Sequence, residues 1–172
     1  MSNGEQKATV PRSRALIQQC LSARLQTQPP TEDSPACFVE IKRGIVVYIC
    51  FLKEADEDTV KRIAKTVMQM KLSEETTSGK YVSVMDLAGD VLIVPQATLG
   101  GKSKGKVMQY HGNVDKSVGA ELYALFVKEC SHWLQSSGKA KANSNEVKAG
   151  TYGNRQVLNI ETNGPFSHLI EL

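Results

Sequence analysis

What this sequence lacks narrows its class before anything in it is read. No apolar run approaches the roughly 18 residues that span a bilayer; the longest, Ile45 to Leu52, has only strand length. The opening stretch MSNGEQKATVPRSR is polar and has no apolar signal core, so a cytoplasmic address is expected and a membrane association is not. The four cysteines, Cys20, Cys37, Cys50 and Cys130, form no CxxC pair, and no histidine stands three to five residues from another. A zinc site and structural disulfides are therefore not expected, and each cysteine reads as a small buried hydrophobe.

The usual catalytic signatures are missing as well. There is no P-loop, no dinucleotide fingerprint and no HExxH. The segment GGKSKG lacks the Walker spacing and a following helix, and no GxSxG elbow anchors a Ser–His–Asp triad. The three histidines, His111, His132 and His168, lie far apart in the chain. No cofactor and no metal are expected.

What remains is one domain's worth of foldable chain: 172 residues, 41% hydrophobic and 23% charged, with a net charge of +3. Lys102, Lys104 and Lys106 alternate with Ser and Gly, and Lys139, Lys141 and Lys148 punctuate a second polar stretch. Such lysines suit RNA phosphates, which position a partner without reading bases, and they suit a plain solvated loop equally well.

The patterning predicts a disordered tail over residues 1–11 and a single domain over 12–172, with 136–149 as a polar surface insertion. A strand is expected over Ala15–Leu25 and a loop over Gln28–Pro35. A hairpin should form from Cys37–Lys42 and Ile45–Leu52 about Arg43-Gly44. Helical spacing of Val60, Ile63, Ala64, Val67 and Met68, with Asp56 as cap, predicts a helix over Ala55–Met70. Tyr81–Met85 and Val91–Val94 read as strands joined by a turn at Ala88-Gly89-Asp90. A second helix is expected over Lys116–Gln135, buried through Val118, Leu122, Leu125, Phe126 and Trp133 or Leu134. Strands return at Gln156–Ile160 and Phe166–Leu172. The sum is a single α/β domain, two main helices packed on mixed or antiparallel sheets, with too many strands for a doubly wound nucleotide fold.

Two segments interrupt the strand patterns with backbone-specialised residues. Pro95-Gln96-Ala97-Thr98-Leu99 follows the strand VLIV, and Thr162-Asn163-Gly164-Pro165-Phe166-Ser167-His168 precedes the last strand. Pro cannot donate to a ladder and Gly reaches dihedrals that other residues avoid, so Gly-Pro makes a stiff exposed corner. Backbone groups at such corners can recognise a ligand or stabilise an oxyanion; taken singly, either segment could equally be an ordinary turn.

Together these segments resemble the paired signatures of the D-aminoacyl-tRNA deacylase family, SQxTL and NxGPxT. The resemblance runs from about Ala15 to Leu172 and includes Gly89–Val94 and the Tyr152-Gly153 turn. It implies a three-layer α/β/β fold and a homodimer in which the Gly164-Pro165 corner of one subunit enters the pocket of the other. It further implies an aminoacyl-tRNA as partner, bound by its 3′ end and acceptor stem, and hydrolysis of the aminoacyl ester by backbone groups and the substrate's own 2′-hydroxyl.

In this sequence Pro95 replaces the family's usual Ser and Ala97 its usual bulky aromatic. PQATL with TNGPFSH is similar to an animal-specific branch of the family. Gln18-Gln19 stands where most members have Gln-Arg, whose Arg steadies a cis Gly-Pro corner, and in the animal branch the corner is trans. On this resemblance Gln96, Ala97 and Thr98 form the catalytic wall, while Pro95, Gly164, Pro165, Phe166 and Ser167 bind substrate. Phe166 would stack on the terminal adenine or pack under the corner. The expected activity is proofreading of L-alanine misloaded on threonine tRNA, with glycyl and D-aminoacyl esters also cleared. The alternatives are strict D-aminoacyl specificity, a Thr98 nucleophile, or a non-catalytic tRNA-binding dimer.

Overall fold

Apolar residues recur through 13–28, yet the chain there makes two strands in different sheets. In the computed structural model, which describes residues 9–172, β1 (Ser13–Cys20) and β2 (Ser22–Gln28) part at Leu21. The single strand expected over Ala15–Leu25 is corrected to this extent, because a period of two reports which side chains are buried and not which sheet buries them. Residues 9–11 of the expected tail are exposed or half-buried coil, and the rest of that tail lies outside the described residues.

A second crossing separates β3 (Cys37–Ile41) from β4 (Gly44–Phe51). The expected hairpin does not form: β3 pairs antiparallel with β2, and β4 lies between β1 and a parallel strand that begins at Asp90. Gly44 permits that close passage, since a Cβ there would overlap the Asp90 carbonyl. Every residue of β4 but Tyr48 is buried, which accounts for its apolar run.

Helix α1 (Glu57–Gln69) starts at the expected cap. The Asp56 carboxylate accepts from the Thr59 N–H at 2.8 Å, and Glu57 and Asp58 favour the positive end of the helix dipole. Short strands β5 (Ser73–Glu74) and β6 (Tyr81–Val82) pair with each other. The strand expected over Tyr81–Met85 stops at Val82. The Ser83 hydroxyl accepts from the Asp86 N–H at 3.1 Å and starts a short helix, α2 (Val84–Leu87).

Strand β7 (Asp90–Pro95) leads into a 3-10 turn at Ala97–Gly100 and then the hairpin of β8 (Lys102–Lys104) and β9 (Val107–Gln109). Helix α3 (Lys116–Ser136) turns a slightly different face inward than the spacing suggested. Val118 is 40% exposed, and Gly119, Tyr123 and Cys130 join Leu122, Phe126 and Leu134 in the core. The polar stretch 136–149 contains α4 (Gly138–Ala142), with Ala140 buried, and β10 (Val147–Ala149), an edge strand parallel to β7. Asp90 fixes this return by accepting from the Asn145 side-chain amide at 2.9 Å and the Glu146 N–H at 3.1 Å. Strands β11 (Val157–Glu161) and β12 (Ser167–Glu171) complete the chain.

The result is a mixed α/β domain of three layers. A five-stranded sheet, ordered β10-β7-β4-β1-β12, carries the helices on one face and the three-stranded sheet β11-β2-β3 on part of the other. Ile17, Val47, Ile93, Val60, Ile63 and Phe126 fill the helical side; Cys20, Leu25, Ile41, Val46 and Leu92 fill the space between sheets. Cys20, Cys50 and Cys130 are buried as expected, but Cys37 is exposed, because it begins β3 at the rim of the smaller sheet. Among the described residues no helix is long and apolar enough to cross a membrane.

Candidate active site

The parallel strands β4 and β7 end side by side, with Ile49 opposite Pro95, and a cavity of about 390 Å³ opens just beyond them. Cys50, Pro95, Gln96 and Ala97 form one wall, and Asn113, Lys116, Tyr152 and Gly153 the other. Three of the five residues of the first signature, Pro95, Gln96 and Ala97, therefore line the cavity. Thr98 does not, and lies exposed on the turn beside it.

The turn is held by its backbone. The Gln96 N–H donates to Ile49 O at 2.9 Å, the Leu99 N–H to Gln96 O at 3.2 Å and the Gly101 N–H to Thr98 O at 3.1 Å. The Arg14 guanidinium donates to Leu99 O at 2.8 Å while its Nε pairs with Glu171 at 2.6 Å. Among the described residues the N–H groups of Ala97 and Thr98 find no acceptor in these ladders. Two successive free amides beside a cavity form an anion-stabilising arrangement.

The opposite wall is seated just as closely. Tyr152 stacks at 5.6 Å on Tyr123, whose hydroxyl donates to Gly150 O at 2.7 Å. A Cβ at Gly119 would overlap the Tyr152 hydroxyl, so this glycine is what lets the ring lie against α3. Gly153 takes φ +83°, a left-handed value suited to glycine. Nothing in the sequence beyond the Tyr-Gly pair singled out Asn113 and Lys116 as neighbours of this wall; they arrive through the start of α3.

Neither imidazole nor carboxylate is at hand here as a general base. Among the described residues no histidine or carboxylate lines the cavity, and the three histidines are exposed elsewhere. Burial pushes the Cys50 thiol up, only partly opposed by the Gly100 amide and Arg14. Its Sγ lies 3.6 Å from Ala97 O. A protonated thiol is a poor nucleophile at neutral pH. The Tyr152 phenol is likewise raised by burial. No group of three or more His, Cys, Asp or Glu among the described residues is placed to hold a metal ion.

The second signature sits elsewhere. Gly164, Pro165, Phe166 and Ser167 are all exposed at the start of edge strand β12. Ser167 pairs with Gln18, which pairs with Val46, four residues before Cys50 along β4. At about 3.3 Å per residue the corner and the cavity are more than roughly 13 Å apart, at opposite ends of the sheet. Within one chain the two signatures do not meet.

The Gly164-Pro165 peptide, whose isomer the sequence left open, is cis and so differs from the trans corner of the animal branch that the sequence resembles. No guanidinium reaches it. Instead the Tyr48 hydroxyl donates to Gln18 Oε1 at 2.9 Å and Gln18 Nε2 to Ser167 Oγ at 3.0 Å. The Ser167 hydroxyl donates in turn to Pro165 O at 2.7 Å. Gln19 points to the other face and donates to Leu72 O. The Phe166 ring lies against Gly164, where a Cβ would overlap it, so it packs on the corner while staying 46% exposed.

A three-layer α/β domain with a cavity at the ends of β4 and β7, lined by no histidine or carboxylate among the described residues, is the class that the fold and site define. The family model described as D-Tyr-tRNA(Tyr) deacylase matches residues 16–171, and the chain belongs to that family. Among its relatives, D-aminoacyl-tRNA deacylase 2 of Danio rerio is 56% identical over 93% of this chain and 99% of its own length. The protein of the same name from Gallus gallus is 55% identical over 92% of this chain and 95% of its own. A solved structure described as a probable eukaryotic D-amino acid tRNA deacylase superposes with a TM-score of 0.77 at 26% identity, covering 93% of this chain and 99% of that one.

Proposed function

We propose that the protein hydrolyses the ester of mischarged aminoacyl-tRNA, accepting glycine, D-amino acids and L-alanine, the last notably on threonine tRNA. The observation that carries this reading is the pair of successive free amides, Ala97 on the wall of a cavity lined by no histidine or carboxylate and Thr98 on the turn beside it. Water adds to the ester carbonyl, and the oxyanion so formed accepts from these amides. The bond to the ribose 3′-oxygen then breaks, and the 2′-hydroxyl passes the water's proton to the leaving oxygen. Free amino acid and tRNA result. One such donor is worth roughly 3–4 kcal/mol of barrier.

The working unit is a homodimer. Tyr48 and Leu16 are only half-buried and Leu169 is 57% exposed on the face beside the smaller sheet, so an apolar strip is left without cover. A two-fold axis across this face reverses strand direction and lays the Gly164-Pro165 corner of one protomer over the cavity end of the other. There Gly164 and Pro165 screen the α-carbon substituent with backbone carbonyls. Acceptance of L-alanine rests on Ala97: a methyl stands where an aromatic would fill the space.

The hairpin that follows the catalytic turn receives the acceptor stem. Lys102, Lys104 and Lys106 are exposed on it, and the sequence from Val91 to Val114 contains no acidic residue. Replacing all three lysines with alanine should weaken tRNA binding and flatten its salt dependence. The slope of log K against log salt should fall by roughly 0.7–0.9 for each phosphate that is no longer neutralised.

The reading is tested by single-turnover deacylation of labelled aminoacyl-tRNA with the wild-type protein and Thr98→Ala. The backbone mechanism predicts that most of the rate survives the substitution. A loss on the order of 10⁴-fold would make the hydroxyl a nucleophile instead, and a wild-type protein that binds but never turns over would be a tRNA-binding dimer.

A further inference from the structure

A residue outside both signatures is hydrogen-bonded to the turn that begins at Ala97. Asn113 lies in the loop before α3, tied to the end of β4 by a backbone bridge to Leu52. Its side-chain Nδ2 donates to Ala97 O at 2.9 Å. The amide orientation is fixed by chemistry, because a carbonyl can only accept and must face the NH2 group. The other side chain on this oxygen is Cys50, a weaker donor at 3.6 Å.

The carbonyl of Ala97 and the N–H of Thr98 belong to one planar peptide and point in opposite directions. Whatever holds the first aims the second. The remaining planes of the turn have their own anchors, Ile49 O on the Gln96 N–H and Arg14 on Leu99 O. The fit is specific on the far side too: Asn113 Oδ1 is buried against Gly100, accepts no hydrogen bond, and occupies the place a Cβ there would take. A buried acceptor left unpaired is unfavourable, and here it accompanies a donor placed on the catalytic peptide.

We infer that Asn113 is a positioning residue that acts through the Ala97–Thr98 peptide, with Gly100 kept small to admit it. The inference rests on the deacylase reading for its effect on turnover, though not for its geometry. Three variants of the full chain test it: Asn113→Ala, Asn113→Asp and Gly100→Ala. In single-turnover and steady-state deacylation, Asn113→Ala should lower kcat on the order of a hundredfold with KM unchanged, the scale of an ångström's misplacement. Gly100→Ala should do the same by displacing Asn113. The double variant should be no slower than either single one, because the new methyl then fills the vacated space.

Asn113→Asp carries a carboxylate that repels Ala97 O at neutral pH. Relative to the wild type it should recover as pH falls toward about 4, where the protonated acid again donates. The independent readout is the Thr98 amide, followed by its NMR resonance and hydrogen exchange. It should shift and exchange faster in Asn113→Ala while the melting temperature and the resonances of α1 hold.

If the wild type deacylates and Asn113→Ala matches its kcat, the positioning role is overturned and the deacylase reading stands. If the wild type is inert on every ester, that reading falls and the Thr98 amide decides: an unchanged resonance and exchange rate overturns the latch, and a shift with faster exchange upholds it.

Discussion

Replacing Ala97 with phenylalanine is expected to abolish most hydrolysis of L-alanyl-tRNA while leaving glycyl-tRNA turnover largely intact. Ala97 lines the cavity at the start of the 3-10 turn, directly after the N–H of Gln96 has been fixed on Ile49 O. On the proposed reading, a ring at this position would project into the same space that the α-methyl of an L-amino acid must enter. Glycine has no side chain to meet it. Differences of one methyl group in a shaped pocket are worth roughly 10- to 200-fold, the range expected here. The variant's kcat/KM for the two esters, measured side by side, reads the effect as a ratio and cancels any general loss of stability. Equal losses on both substrates would mean that Ala97 shapes the turn and not the specificity.

The second large effect is expected at the opposite end of the sheet. Leu169→Asp should give a folded monomer with activity lowered on the order of a hundredfold or more. Leu169 is exposed in the protomer, so an aspartate there should change folding stability by less than about 0.5 kcal/mol. In a two-fold dimer the same residue is buried twice, and an unpaired buried charge is destabilising by several kcal/mol at each copy. Loss of the proposed dimer would remove the Gly164-Pro165 corner from the cavity without touching a residue of the cavity wall. Sedimentation velocity and a deacylation assay on one preparation report both halves. A monomeric variant with full activity would show that each chain works alone and that the corner has another purpose.

The particular residues show how far the sequence could be read. Composition and periodicity located α1 and α3, the buried strand Gly44–Phe51 and the final strands, because each has a strong apolar pattern with a capping or turn residue at its end. They did not locate the crossings at Leu21 and between Ile41 and Gly44, since a strand buried on one side looks alike in either sheet. Val147–Ala149 hid in a polar stretch because an edge strand needs few apolar residues, and its place is set by Asp90, far away in the chain.

The first signature was legible as a break in the strand pattern by backbone-specialised residues, and Pro95, Gln96 and Ala97 of it line the cavity. The distance between the two signatures was not, since nothing in a one-dimensional pattern says that Gly164 and Ala97 sit at opposite ends of one sheet. Asn113 carried no signal at all: an asparagine after a glycine reads as turn chemistry, and its hydrogen bond to Ala97 O exists only because α3 begins where β4 ends.

The expected activity is hydrolysis by peptide groups, in a pocket widened at Ala97, of the ester of a small L-amino acid as well as that of a D-amino acid. It is tested most directly by single-turnover deacylation of threonine tRNA charged with L-alanine, beside tRNA charged with a D-amino acid, by the same purified protein. The account predicts that both esters are cleared far faster than their spontaneous hydrolysis. An intact L-alanyl ester beside a cleared D-aminoacyl ester would contradict it and make the enzyme strictly D-specific.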